Sequence, residues 1–263
     1  MSITSDKFKT SYNFFKNKNT VPIIFIHGVG LTKEIWFPQI EFFKEHSILT
    51  YDLIGHGKTP LLKNQLNFED FVKQLLNLIN ELNFDKIHLV GFSLGSLIAR
   101  HFASQHHDKL CSLNLHCSIY KRSIDQKRIV ENRFELIKTN KPASRVSALR
   151  RWFSEEFIKN NKEIYDKVYS TLEQNDLKNF IKAYKLFVFY EDNDDVLKNI
   201  KINTLVTTGQ FDVGSTTDMG KNLSAMIKDS EFKEIKNGKH LCNIECSDEY
   251  NKILNKFINK KND

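Results

Sequence analysis

A succession of short apolar runs, most of them closed by a polar or glycine-bearing turn, constrains this chain more than any other feature. Residues 21–26 run into His27-Gly28-Val29-Gly30, and residues 47–51 into Asp52-Leu53-Ile54-Gly55-His56-Gly57. Residues 87–90 run into Gly91-Phe92-Ser93-Leu94-Gly95, and residues 202–208 into Gly209-Gln210-Phe211-Asp212. Leu110 to His116 is a further run, and residues 231–236 lead to Asn237-Gly238-Lys239-His240. Continuous apolar runs of this length read as strands buried on both faces of a parallel sheet. Between them the spacing is helical, most clearly at Phe68, Phe71, Val72, Leu75, Leu76, Leu78, Ile79 and Leu82. Strands that alternate with helices predict an α/β fold with a mostly parallel sheet flanked by helices. Such sheets bind ligands beyond the carboxyl ends of their strands. His27, Asp52, Ser93, Asp212 and His240 all fall there.

The alternation stops between about residues 120 and 195. Glycine vanishes, Pro142 is the one proline, and charged helical periodicity takes over. The pattern predicts a helical insertion after the sixth strand. Residues 1–119 and 196–263 then form the core domain and residues 120–195 the insertion. No run is long enough to cross a bilayer, and the polar N-terminus lacks the apolar stretch of a signal peptide. Four sparse cysteines, Cys111, Cys117, Cys242 and Cys246, fit reduced thiols in a cytoplasmic protein. Cys242 and Cys246 stand one helical turn apart, but no second pair has metal-ligand spacing.

Gly91-x-Ser93-x-Gly95, set between a strand and the helical segment 96–102, has the form of a nucleophile elbow. The glycines admit a strained turn that lifts the Ser93 hydroxyl above the sheet. A serine hydroxyl needs a base within reach, and the base needs an acid to hold its tautomer. In the chain order Ser, Asp, His, the candidates are Ser93, Asp212 and His240. Asp194 and Asp195 are rival acids, but they lie in a charge-rich stretch. His88, His101, His106 and His107 fit the base role less well because they sit in a strand or on and just beyond the helix. The backbone N–H groups of Val29 and Leu94 form the expected oxyanion hole. His27 is a candidate substrate contact or a brace for the loop that follows it. Asp52 braces its own loop. This chemistry calls for no cofactor and no metal.

The formal net charge is +7, and residues 121–151 hold an excess of that size, with ten basic side chains against three acidic ones. This stretch is either a solvated helical surface or a docking field for an acidic partner. It matches no nucleic-acid-binding motif. Trp152, Phe153, Phe157, Phe187, Phe189 and Tyr190 either line a pocket or form the core of the cap, and Arg151 or Arg150 can face a substrate carboxylate.

With these motifs assembled, the chain resembles the α/β-hydrolase fold superfamily over nearly its full length. The segments Asp52 to Gly57, Arg151-Trp152-Phe153-Ser154-Glu155-Glu156-Phe157, Asp218-Met219-Gly220 and His240-Leu241-Cys242-Asn243-Ile244-Glu245 are similar to parts of 3-oxoadipate enol-lactonases. The chain departs from such families at Lys239, at Ser96 and over residues 188–192. The resemblance implies a serine hydrolase that cleaves a small ester or lactone, with the insertion of residues 120–195 as a helical cap over the site. A pimeloyl-[acyl-carrier protein] methyl ester esterase docked to acyl carrier protein, a carbon–carbon bond hydrolase and a ligand-binding receptor on the same scaffold stay open as alternatives.

Overall fold

The computed structural model describes residues 2–17, 20–61, 63–139 and 142–260. Eight strands form one sheet: β1 (Ser2–Ile3), β2 (Ser11–Phe15), β3 (Ile23–Ile26), β4 (Ile48–Tyr51), β5 (Ile87–Phe92), β6 (Leu110–His116), β7 (Thr204–Gly209) and β8 (Ser230–Ile235), in the order β1-β2-β4-β3-β5-β6-β7-β8. β2 pairs antiparallel with β1 and β4. The other strands run parallel, as the alternation of strands and helices predicts.

Among the described residues twelve α-helices accompany the strands. Four belong to the first half of the fold: α1 (Phe37–Phe42), α2 (Phe68–Glu81), α3 (Leu94–Gln105) and α4 (Ile124–Lys138). The next five are α5 (Pro142–Trp152), α6 (Glu155–Asn160), α7 (Lys162–Glu173), α8 (Leu177–Val188) and α9 (Asp194–Lys198). The last three are α10 (Thr217–Met226), α11 (Cys242–Glu245) and α12 (Ser247–Ile258). The described chain between β6 and β7 is therefore helical, with no strand. Local chemistry starts several of these helices. Asn67 with Asp70, and Ser123 with Gln126, form reciprocal capping boxes that satisfy the first free N–H groups of α2 and α4.

The period of two along a strand explains the two-sided core. Ile24 and Ile26 of β3, with Leu49 and Tyr51 of β4, pack on the side of α2 and α3. Ile23 and Phe25, with Ile48, pack on the opposite side with Trp36, Phe43 and Tyr250. Both faces of β3 are dry, and its four residues are all apolar.

The helices between β6 and β7 meet the core at defined points. Asn175, after α7, donates to the Gly30 carbonyl at 2.7 Å. The Leu241 N–H donates to the Trp152 carbonyl at 3.0 Å, and the Ser154 N–H to Glu245 Oε1 at 3.0 Å. Lys239 Nζ donates to the Arg150 carbonyl at 2.9 Å. Lys239, where related patterns carry a small residue, thus ties the His240 loop to α5.

Candidate active site

The turn from β5 into α3 holds Ser93 at φ 53°, in the left-handed region that costs a residue other than glycine. Its backbone is held at both ends: the Ser93 N–H donates to the His116 carbonyl at 3.0 Å, and the Ser93 carbonyl accepts from the Ser96 hydroxyl at 2.7 Å. Ser96 fills the position where a second glycine is frequent, and its hydroxyl bridges the turn to Ser118 at 2.5 Å. Gly95 has no room for a side chain, since a Cβ there would sit 2.4 Å from the Ile26 carbonyl oxygen. This close approach draws α3 against the end of β3 and brings the elbow beside the loop that starts at His27.

Asp212 lies in the loop after β7. Its Oδ1 accepts the Gly214 and Ser215 N–H groups at 2.8 and 3.1 Å, which fixes the carboxylate in place. Its Oδ2 lies 2.6 Å from His240 Nδ1. A carboxylate only accepts, so Nδ1 is the donor and Nε2 keeps a free lone pair in the neutral ring. Burial works against the charged imidazole, but the adjacent Asp212 carboxylate outweighs it and raises the pKa of His240 above the ordinary histidine value. Burial likewise opposes ionisation of Asp212, yet His240 and the two backbone N–H groups hold its carboxyl below the usual range.

Ser93, Asp212 and His240 line one cavity together with Gly28, Val29 and Trp152. Leu94 is the first residue of α3, where backbone N–H groups have no partner within the helix. Trp152 tilts over the His240 ring at 6.1 Å and Phe92 lies beneath it at 4.9 Å.

His27 is not a cavity-wall residue. It is fully buried, its Nδ1 donates to the Gly28 carbonyl at 2.7 Å, and its Nε2 accepts from the Leu53 N–H at 3.0 Å. Burial, with His56 nearby, pushes its pKa down to about 3. The reading of His27 as a substrate contact is corrected: both ring nitrogens are spent on backbone, and the residue braces the loop. Asp52 braces the same region. Its carboxylate accepts the Lys33 N–H at 2.9 Å, the Lys33 ammonium at 2.7 Å and the Lys58 N–H at 3.0 Å.

The aromatic candidates divide. Trp152 and Phe187 line the cavity. Phe153 is buried and stacks on Phe157 at 4.8 Å, Phe189 is exposed, and Tyr190 packs against Phe68 and His101. Arg150 is exposed, whereas Arg151 lines the cavity. Asp194, the rival acid, accepts from Tyr120 and Lys121 at 3.0 Å each, and neither Asp194 nor Asp195 lines the cavity.

Sequence reasoning missed Arg122, Arg133 and Arg145, which also line the cavity. The signal is faint but present. On α4 the lining residues Gln126, Val130, Arg133 and Ile137 follow a spacing of four, three and four, which is one helical stripe. Burial holds Arg122 near a pKa of about 10, and it also lowers that of Arg151, with Arg133 adding to the effect.

Thiols gather behind the histidine. Cys117 Sγ lies 3.8 Å from Cys242 Sγ, and both come within 3.9 Å of the His116 ring nitrogens. These three side chains, and separately Cys117, Asp212 and His240, are the described groups close enough to share a metal ion. His116 is itself engaged with Thr207 at 2.9 Å. Cys246 points elsewhere, toward the Lys236 carbonyl, so the partner of Cys242 is Cys117 and not its neighbour in sequence.

A parallel sheet with a strained serine elbow and an aspartate–histidine pair at adjacent strand ends defines the class. The sequence model of the alpha/beta hydrolase fold matches residues 21–245, and the chain belongs to that family. It is 28% identical over 251 residues to an (E)-2-((N-methylformamido)methylene)succinate hydrolase of Acinetobacter baylyi, covering 94% of this chain and 93% of the relative. It is 26% identical over 243 residues to 3-oxoadipate enol-lactonase 1 of the same organism, covering 92% and 90%. An enol-lactonase structure from Burkholderia xenovorans superposes with a TM-score of 0.83 at 20% identity, covering 95% and 96% of the two chains. The chain is a hydrolase of this fold. Among the described residues no helix is long and apolar enough to cross a membrane.

Proposed function

We propose that the chain cleaves a carboxylic ester or lactone of a small molecule through Ser93, His240 and Asp212, by way of an acyl-enzyme. His240, oriented by Asp212, takes the Ser93 proton as the oxygen attacks the carbonyl carbon. The Val29 and Leu94 N–H groups hold the oxyanion. His240 then returns the proton to the leaving alkoxide, and water attacks the acyl-enzyme by the same route. In a lactone the alkoxide stays tethered to the acyl group until water releases the acid. The helices of residues 120–195 serve as the cap over residues 1–119 and 196–263, and Trp152 and Arg151 contact the substrate.

The observation that carries the reading is the 2.6 Å contact between His240 and Asp212 in the cavity that Ser93 lines. Relatives named as a succinate-derivative hydrolase and as a 3-oxoadipate enol-lactonase support a small substrate. The similarity to pimeloyl-[acyl-carrier protein] methyl ester esterase of Legionella pneumophila, 35% identity over 89 residues, spans only 34% of this chain. Docking of an acyl carrier protein on the basic segment gains little from the structure, because four of its arginines line the cavity.

The test is hydrolysis of p-nitrophenyl esters of graded acyl length by the wild type beside Ser93→Ala. The reading expects turnover that collapses in the variant to the small residue that oxyanion and binding contacts supply. A variant as active as the wild type overturns it.

A further inference from the structure

The basic excess of residues 121–151 is sorted by residue type. Its lysines face out and find acids: Lys121 with Asp194 at 3.0 Å, Lys127 with Glu191 at 2.8 Å and Lys138 with Glu135 at 2.6 Å. Lys141 lies outside the described residues. Four arginines, Arg122, Arg133, Arg145 and Arg151, line the cavity instead. Among the described residues the one carboxylate on that wall is Asp212, which His240 already engages.

The guanidinium groups are not equally available. Arg122 donates to the Phe187 and Val188 carbonyls at 2.9 and 3.0 Å and lies over the Phe187 ring at 4.5 Å. Arg151 uses one nitrogen, Nη1, on the Ser147 carbonyl and hydroxyl. Arg133 is within electrostatic reach of Arg151 and Arg122 and disfavours the charge on each, and all three arginines act on the Tyr184 phenol. Neither Arg133 nor Arg151 forms an ion pair with a carboxylate among the described residues. Like charges held together in a partly dry wall are costly unless an anion completes them, and a guanidinium fork matches a carboxylate bidentately.

We propose that Arg133 and Arg151, which line the same cavity as Tyr184, form a dianion site that selects substrates bearing two carboxylates and presents their scissile carbonyl to Ser93. This rests on the hydrolase reading above and names its substrate class. The two forks, one from Arg133 and one from Arg151, match two negative charges. Ile129, Val130, Ile137, Leu172 and Phe180 give the same wall an apolar stretch that suits a short carbon skeleton, beside the polar Gln126, Ser144 and Asn175.

The experiment is calorimetric binding of succinate, glutarate and adipate to the Ser93→Ala protein, with butyrate, hexanoate and inorganic phosphate as comparisons. The expected result is at least one dicarboxylate bound tenfold or more tightly than the monocarboxylate of similar length and than phosphate. Arg133→Gln and Arg151→Gln should each weaken it tenfold or more. Arg150→Gln, exposed beside them, should bind like the parent. A second readout guards against misfolding: the dicarboxylate should raise the melting temperature of the parent, and that rise should shrink in Arg133→Gln. Equal binding of mono- and dicarboxylates, or tighter binding of phosphate, overturns the proposal. The two readings fail separately. Dicarboxylate binding without Ser93-dependent ester turnover removes the hydrolase mechanism and leaves the anion site. Ser93-dependent turnover without dicarboxylate preference does the reverse.

Discussion

The Arg100 guanidinium, fully buried on α3, meets the Asp192 carboxylate at 3.1 Å where the segment after α8 returns to the sheet. Arg100 also donates to the Ser118 hydroxyl at 2.7 Å and to the Ile119 carbonyl. Asp192 in turn accepts the Lys121 N–H at 2.7 Å. One ion pair thus joins both ends of the helical insertion to the helix that carries the elbow. It also gives residues 188–192, where the chain departs from the lactonase pattern, a structural task.

Asp192→Asn keeps the shape of the side chain and removes the counter-charge of a buried guanidinium. Breaking such a pair from one side costs about 3–5 kcal/mol. Urea unfolding at neutral pH should show a lower midpoint at unchanged slope.

The acidic limb of the pH profile follows from His240. On the proposed mechanism His240 must be neutral to take the Ser93 proton, and Asp212 raises its pKa. The rate constant kcat/KM should therefore rise with pH through a midpoint above the ordinary value of about 6.5. Asp212→Asn removes the group that favours the imidazolium, so the limb should move to lower pH. The same change should cut the rate about 10⁴-fold, the typical cost of losing the acid of a serine triad. A profile with the same midpoint in both proteins contradicts this assignment.

Gly95→Ala places a methyl group against the Ile26 and His27 carbonyl oxygens, at 2.4 and 2.7 Å. Both obstacles are backbone, so no rotamer change relieves them. Overpacking of this kind costs about 1–3 kcal/mol or more. The displaced elbow should lower ester turnover by a larger factor than Ser96→Ala does. Parallel unfolding and ester assays of the two variants measure this.

Lys33 and Asp52 form a second buried ion pair, at 2.7 Å. Lys33→Met strands the carboxylate and should destabilise by about 3–5 kcal/mol. Asp52→Asn should cost as much, because it strands the ammonium. The double variant should fall well short of the sum of the two, which a double-mutant cycle in urea reads directly. Full additivity would mean that the pair does not act as a unit.

Much of the fold is legible because its signals are local. A strand buried on both faces is mostly apolar, and a strained strand-to-helix turn must have room at its flanks. Residues 87–95 meet both conditions on a single line of sequence. Ser93, Asp212 and His240 stand out because chain order and strand ends alone put them at one edge of the sheet.

The sequence by itself determined the mostly parallel sheet, the helical insertion after the sixth strand and the edge at which the chemistry gathers. Periodicity and chain order carry that information residue by residue. Tertiary structure alone decided which way the side chains turn. The basic run of residues 121–151 reads as one charge excess, yet its lysines pair outward while Arg122, Arg133, Arg145 and Arg151 face the cavity. Cys242 finds Cys117, 125 positions away, and not Cys246. His27 spends both ring nitrogens on backbone that only the folded loops bring within reach. Each of these outcomes depends on which face of one element meets another, and that is fixed when helices and loops pack on the sheet, not by the spacing of residues within any one of them.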